Sequence, residues 1–242
     1  MTLGLQRSLA VAGPLLVGCA HMPPAVDLGA PLPPAAVRSH GFDAVLAEHF
    51  WLDVPFTPSF RAAGVLPLGP GAWGLELGGN LGVSWLGAAP ALHWAPDPRP
   101  DSAWRWGGRL GLALGVGDLT HGDANPYTGA SLLAQASRTW GPGGVGALTA
   151  ALGWGYSGHL RCFFGCYIPD PEVDPEHEDP WSGEDYIPYN GPTLHLRLDL
   201  PLGRQGTAVI TEASAQPVVW GGDFEPVWSL ALGLHHRRVG LN

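Results

Sequence analysis

The sequence predicts an all-β chain folded as an antiparallel up-and-down transmembrane β-barrel of eight to ten strands. Three observations point there. Apolar residues alternate with small or polar ones along most of the chain, which is the period of a strand. Charged residues make up only 14% of the sequence, against about 25% in soluble domains. Apart from the first connection, near Gly87, and the last, Gly221 to Phe224, short and long connections between the alternating stretches from Ala72 follow one another in turn, as they do in membrane barrels. Length is uninformative, because 242 residues suit one barrel or one ordinary domain. Gly (36) and Trp (11) are abundant, all 12 basic residues are Arg, and the formal net charge is −9. With no basic patch, that balance argues against a nucleic-acid partner. No apolar run of the ~20 residues needed for a spanning helix follows the N-terminus.

The first element reads as an address. Residues 1–18 carry Arg7, then an apolar stretch from Leu9 to Val17, then Gly18, the layout of a secretory signal peptide. Leu16-Val17-Gly18-Cys19 resembles the lipobox of bacterial lipoproteins. The resemblance implies cleavage before Cys19 and lipid attachment to its sulfur. Ala20 follows in place of the Asp that favours inner-membrane retention in enteric bacteria. The implied destination is therefore the outer membrane of a Gram-negative envelope, with membrane lipid as a partner. Each buried methylene of an attached chain would contribute about 0.8 kcal/mol to anchoring. Residues 19–44 form a Pro/Ala-rich stretch, with Met22-Pro23-Pro24 and Pro31-Leu32-Pro33-Pro34, and read as an extended tether.

The barrel itself is assigned to 45–242. Leu46 to Phe56 and Phe60 to Leu68 read as its first strands, the second ending at Gly69-Pro70-Gly71. From Ala72 to Leu86 one face is Trp73, Leu75, Leu77, Gly79, Leu81, Val83 and Trp85; the other is small or polar. From Ala103 to Gly117, Trp104, Trp106, Leu110, Leu112 and Leu114 oppose Arg105, Arg109 and glycines. Pro126 to Trp140, Val145 to Ser157 and Thr207 to Trp220 keep the pattern less cleanly. Pro192 to Leu202 sets five leucines against Thr193, His195, Arg197 and Asp199, and Glu225 to His235 sets Trp228, Leu230, Leu232 and Leu234 against small residues. Eight strands fit between Ala72 and Arg238; the two ahead of Ala72 make ten, the count favoured.

Alternation alone does not say where the apolar face points. If it were the core of a soluble lipid-tethered β-domain, the opposite face would meet water and should be rich in Lys, Glu and Thr. That face is instead Gly, Ala and Ser with isolated charges, a poor exposed surface but a fitting barrel interior. Arg105, Arg109, His195, Arg197, Asp199 and Glu212 are therefore assigned to a polar network in the lumen, where charges must be paired. Trp73, Trp85, Trp104, Trp106, Trp140, Trp154, Trp220 and Trp228 lie near strand ends and are assigned to aromatic girdles. Trp73 and Trp85 on one face would stand roughly 30 Å apart along the membrane normal, near the height of an apolar band. Asp97 to Ser102, Gly141 to Gly144 and Gly203 to Gly206 are tight turns, whereas Asp118 to Asn125 and Gly158 to Gly191 are longer. Over about three quarters of its length the chain thus resembles small outer-membrane barrel proteins. Such barrels often end in an aromatic residue used in assembly, whereas this one ends Arg237-Arg238-Val239-Gly240-Leu241-Asn242. Either its last strand stops near Leu234 or its assembly signal is atypical.

Chemistry is harder to find. No His is followed two residues later by Ser, so one arrangement used by outer-membrane acyl hydrolases is missing. His195, Arg197 and Asp199, with Glu212 and Ser214 on the next strand, are explained as well by charge pairing as by catalysis. Cys162 and Cys166 are separated by three residues; in an oxidising compartment they favour a local disulfide, while a zinc site would need two further ligands. No cofactor or metal is expected. The loop 158–191 mixes acids with Phe163, Phe164, Tyr167, Trp181, Tyr186 and Tyr189, the composition of a solvated cover over the mouth or of a surface for an envelope protein partner. His235-His236-Arg237-Arg238 reads as a cationic anchor at the membrane edge. The reading is a non-enzymatic barrel with a structural or interaction role. A narrow pore for small solutes and a lipid-modifying enzyme are the alternatives.

Overall fold

A computed structural model describes residues 32–33, 39–51, 54–69, 72–82, 85–96, 104–117, 125–141, 144–159, 189–203, 206–220 and 223–237. They form eleven strand segments: β1 (Gly41–Trp51), β2 (Val54–Pro67), β3 (Trp73–Gly82), β4 (Leu86–Ala88), β5 (Ala91–Trp94), β6 (Trp104–Gly117), β7 (Asn125–Trp140), β8 (Gly146–His159), β9 (Tyr189–Leu202), β10 (Thr207–Trp220) and β11 (Asp223–Arg237). Every pairing is antiparallel, sequence neighbours lie side by side, and β1 pairs with β11 to close the sheet on itself. Segments β4 and β5 both pair with β3 on one side and β6 on the other, in unchanged register. They are one strand whose ladder is interrupted where Pro90 has no N–H to donate. The architecture is therefore a closed ten-strand antiparallel barrel.

Closure follows from the solvent. Hydrocarbon offers no hydrogen bonds, so each unpaired backbone group there costs several kcal/mol, and only helices or edge-free barrels cross it. The β1–β11 seam runs from Gly41↔Arg237 to Phe50↔Trp228 and leaves no edge over that length. Leu194, Leu196, Leu200 and Leu202 of β9 are 44–50% exposed, whereas Thr193, His195, Arg197 and Asp199 between them are at most 4% exposed. The same inversion holds on β11, where Trp228, Leu230, Leu232 and Leu234 face out and Ser229, Ala231, His235 and Arg237 face in. A water-soluble sheet would place those leucines inside. The outward apolar belt makes this a transmembrane barrel.

Both ends of the strand array, Gly41 and Arg237, lie at one end of the barrel, here called the terminal end. Connections at that end span 68–72, 95–103, 141–145 and 203–206. The opposite, distal end carries 52–53, 83–85, 118–124, 160–188 and 221–222, so the longest connection lies there, as the loop lengths predict. Gly69, Gly141, Gly144, Gly203 and Gly206 adopt positive φ at the terminal-end turns, which glycine tolerates.

Three expectations need correction. The stretch 46–56 is not one strand: β1 begins at Gly41, ahead of the assigned barrel boundary, and ends at Trp51, while Val54 opens the antiparallel β2. The last strand does not stop near Leu234 but runs to Arg237. The alternating run from Ala72 to Leu86 is broken as well, because β3 ends at Gly82 and Gly82 N donates to Trp85 O at 2.9 Å. The hairpin reverses the phase of the faces, so Trp85 points into the barrel, 2% exposed beside Ala113 and Tyr127. Gly82 is what admits it: a Cβ there would lie 2.3 Å from the Trp85 indole.

Candidate functional site in the barrel lumen

The inward faces bring together most of the charge of the described chain. On β9, Arg197 Nε and Nη2 donate to the Asp199 carboxylate at 2.8–3.1 Å. The same guanidinium reaches Asp43 Oδ2 on β1 at 2.6 Å and Glu212 Oε1 on β10 at 3.3 Å. Arg61 on β2 donates to both oxygens of Glu212 at 3.0 Å. His235 Nδ1 on β11 lies against the other oxygen of Asp43. Two of these links, Arg197–Asp43 and Arg61–Glu212, join strands that do not adjoin in the wall. They are chords across the lumen, and each is buried at both ends. The planar, five-donor guanidinium suits this task, because it can serve several carboxylates at once.

A second cluster lies along β3, β5 and β6. Glu76 Oε2 is 2.9 Å from His93 Nε2, and Arg109 Nη2 donates to Glu76 Oε1 at 3.4 Å. Arg109 Nη1 donates to Ser131 Oγ at 3.2 Å. Hydrogen-bonded pairs occupy further inward positions: Ser137 with Thr149 at 2.7 Å, Ser214 with Ser229 at 2.7 Å, and Thr193 with His195 Nε2 at 2.8 Å. Toward the distal end Tyr127 Oη donates to Asn80 Oδ1 at 3.3 Å. Burial of so many charges is tolerable only because cations and anions meet directly.

Five of the six residues assigned to the lumen from sequence, Arg109, His195, Arg197, Asp199 and Glu212, are buried inside. Arg105 also stands on the inward side of β6, half-buried near the terminal end and in register with Ser137. The sequence reading missed their partners Asp43, Arg61, Glu76, His93 and His235. The first three alternate correctly within their strands, but nothing in one strand tells which residue lies across a closed lumen. Ser214, weighed as a nucleophile, bonds to Ser229, and Glu212 beside it bonds to the arginines. Among the described residues no group of three or more His, Cys, Asp or Glu is placed to hold a metal ion.

The C-terminal cationic run divides between the faces, as strand geometry requires. His235 and Arg237 are inside, while His236 faces out and its Nδ1 lies 2.9 Å from Thr207 Oγ1. It is thus not a single anchor at the membrane edge, because half of it pairs within the lumen. On the exterior, Trp73, Trp104, Trp106 and Trp140 are exposed near the terminal end, joined by Trp94, which pairs with Trp73 across β3 and β5. Trp154 and Trp228 are exposed nearer the distal end. Aromatic rings at both edges of an apolar band match the girdles of membrane barrels. Trp85 does not belong to them, for the phase reversal already described. Trp220 lies in β10, but its side chain is outside the described residues, as are Cys19, Cys162, Cys166 and the loop 160–188.

The site and fold define a class: a closed transmembrane β-barrel with an ion-paired interior. No family model matches the chain, and no curated protein matches it. Among solved structures it is similar to the NanC porin, at 10% identity and a TM-score of 0.43, over 82% of this chain and 100% of that one. It is also similar to Ail, the attachment invasion locus protein of Yersinia pestis, solved with the heparin analogue sucrose octasulfate. That match has 10% identity and a TM-score of 0.26, over 82% of this chain and 96% of that one.

Proposed function

We propose that the chain is an outer-membrane barrel lipoprotein whose role is structural or one of interaction, not catalytic. The observation that carries the reading is Arg197, fully buried and bonded at once to Asp43, Asp199 and Glu212. A solute path needs water alongside its charges, whereas these charges are spent on one another across the lumen. A barrel filled in this way serves as a rigid membrane body that holds its distal loops in place. The partner surface is assigned to the loop 158–191 on its acidic and aromatic composition, and the lipid anchor to Cys19 on the lipobox resemblance.

Planar-bilayer recording of the purified, refolded protein tests the central part. No unitary conductance is expected, and reproducible channel steps would replace this reading with the narrow pore. Lipid A mass spectra from cells with and without the protein should coincide; a changed acylation pattern would overturn the non-catalytic assignment. A Cys19→Ala variant should lose its fatty-acid mass yet remain in carbonate-washed membranes, held by the barrel alone.

A further inference from the structure

Polar and small side chains line most of the lumen, and near the terminal end two of its buried apolar side chains form a cluster apart from the one built on Val45 and Ile210. They are Val65 near the end of β2 and Ala95 just after β5. They form one buried cluster with Leu32, which precedes the first strand and is itself 2% exposed. The backbone carbonyl of Leu32 accepts a 2.8 Å hydrogen bond from Nε2 of Gln135, a buried residue of β7. Gly107 stands opposite Gln135 in register. A Cβ at Gly107 would lie 2.6 Å from Trp94 O and 3.2 Å from Gln135 Nε2, so the missing side chain leaves that amide its room.

These features answer what a peptide carried into a barrel requires. Its apolar side chain needs an apolar seat, and Val65 with Ala95 supplies one. Its carbonyl needs a donor, since an unsatisfied buried carbonyl is costly, and Gln135 supplies that. It must also not extend the sheet. Pro33 has no N–H to give to a ladder, and its fixed φ reduces the freedom lost on docking.

We propose that Leu32–Pro33 is an internal plug, seated on Val65, Ala95 and Gln135 and closing the terminal mouth of the barrel to water. The sequence alone reads this stretch as a passive tether; the contacts make its midpoint a stopper. The plug is separate from the Arg197 network, and each can be broken while the other is kept.

Thiol labelling tests it. In a chain carrying Cys19→Ser, Cys162→Ser and Cys166→Ser, an Ala95→Cys substitution reports on the mouth through its rate with a water-soluble maleimide. The refolded barrel should label slowly. Adding Leu32→Asp should raise the rate at least about tenfold, the scale set by exposing one buried leucine, and Gln135→Ala should raise it less. Heat-modifiable gel mobility verifies that each variant is a folded barrel. If Leu32→Asp fails to fold, Leu32→Cys in the same background replaces it and should itself label slowly. Equal Ala95→Cys rates with and without Leu32→Asp, or Leu32→Cys labelling as fast as a free peptide thiol, would overturn the plug. Conductance is not the readout, so failure here is distinguishable from failure of the sealed-lumen reading.

Discussion

Removing the Arg197 guanidinium is the sharpest perturbation the lumen allows. In Arg197→Met the side chain keeps much of its volume, but Asp199 loses three bonds at 2.8–3.1 Å, Asp43 loses one at 2.6 Å, and Glu212 loses one at 3.3 Å. Glu212 retains Arg61 and Asp43 retains His235. The damage therefore concentrates on Asp199, which has no exposure to solvent. Breaking a buried ion pair by removing one partner costs about 3–5 kcal/mol. At a urea slope of about 1–3 kcal/mol/M, the unfolding midpoint should fall by more than about 1 M. The assay is equilibrium unfolding from phospholipid vesicles, followed by tryptophan fluorescence. The triple variant Arg197→Met/Asp43→Asn/Asp199→Asn discharges the acids along with the arginine and should recover most of the loss, because neutral replacement of a buried ionic cluster is often tolerated. A loss below about 1 kcal/mol for Arg197→Met, or a triple variant no better than the single one, would refute a buried, load-sharing ion network.

Other substitutions probe other parts of the barrel. Gly82→Ala places a methyl 2.3 Å from the Trp85 indole and should destabilise the barrel by about 1–3 kcal/mol, read as a lowered urea midpoint. Leu196→Arg puts a cation on the outward face of β9 and should cost about 2–4 kcal/mol if that face meets the bilayer midplane; in a soluble domain with an exposed Leu196 it would be nearly neutral. Arg197→Lys keeps the charge but not the fork of donors, and its unfolding midpoint should fall between those of the native chain and Arg197→Met.

The outward half of this protein is written in its sequence more plainly than the inward half. Leucine and tryptophan recurring on one side of β6, β9 and β11 describe a one-sided apolar sheet, and an opposite face made largely of Gly, Ala and Ser with isolated charges is a poor surface to expose to water. The length of the loops then orders the strands around a barrel. Residues such as Arg109 and Asp199 follow from the same alternation. The chords do not: Asp43 and Arg197 stand on β1 and β9, and they meet only once the sheet has closed. Trp85 was hidden because Val83-Ser84 in the sequence lacks the Gly, Asn or Asp of a typical hairpin turn and continues the apolar alternation up to Trp85. Leu32 was hidden by its prolines, whose chemistry marks a spacer and gives no sign of what that spacer touches.

The direction in which the two faces point is the claim on which all else depends. Spin labels on single cysteines, in the cysteine-free chain reconstituted into bilayers, measure it directly through accessibility to oxygen and to a water-soluble nickel chelate. Labels at Leu152, Leu194, Leu196 and Leu232 should collide freely with oxygen dissolved in the lipid. Labels at Thr149, Thr193 and Ser214 should be sheltered from both reagents, giving a period of two along each strand. The opposite phase, with the leucine positions sheltered and the Thr and Ser positions open to nickel, would describe a water-soluble sheet and contradict the barrel.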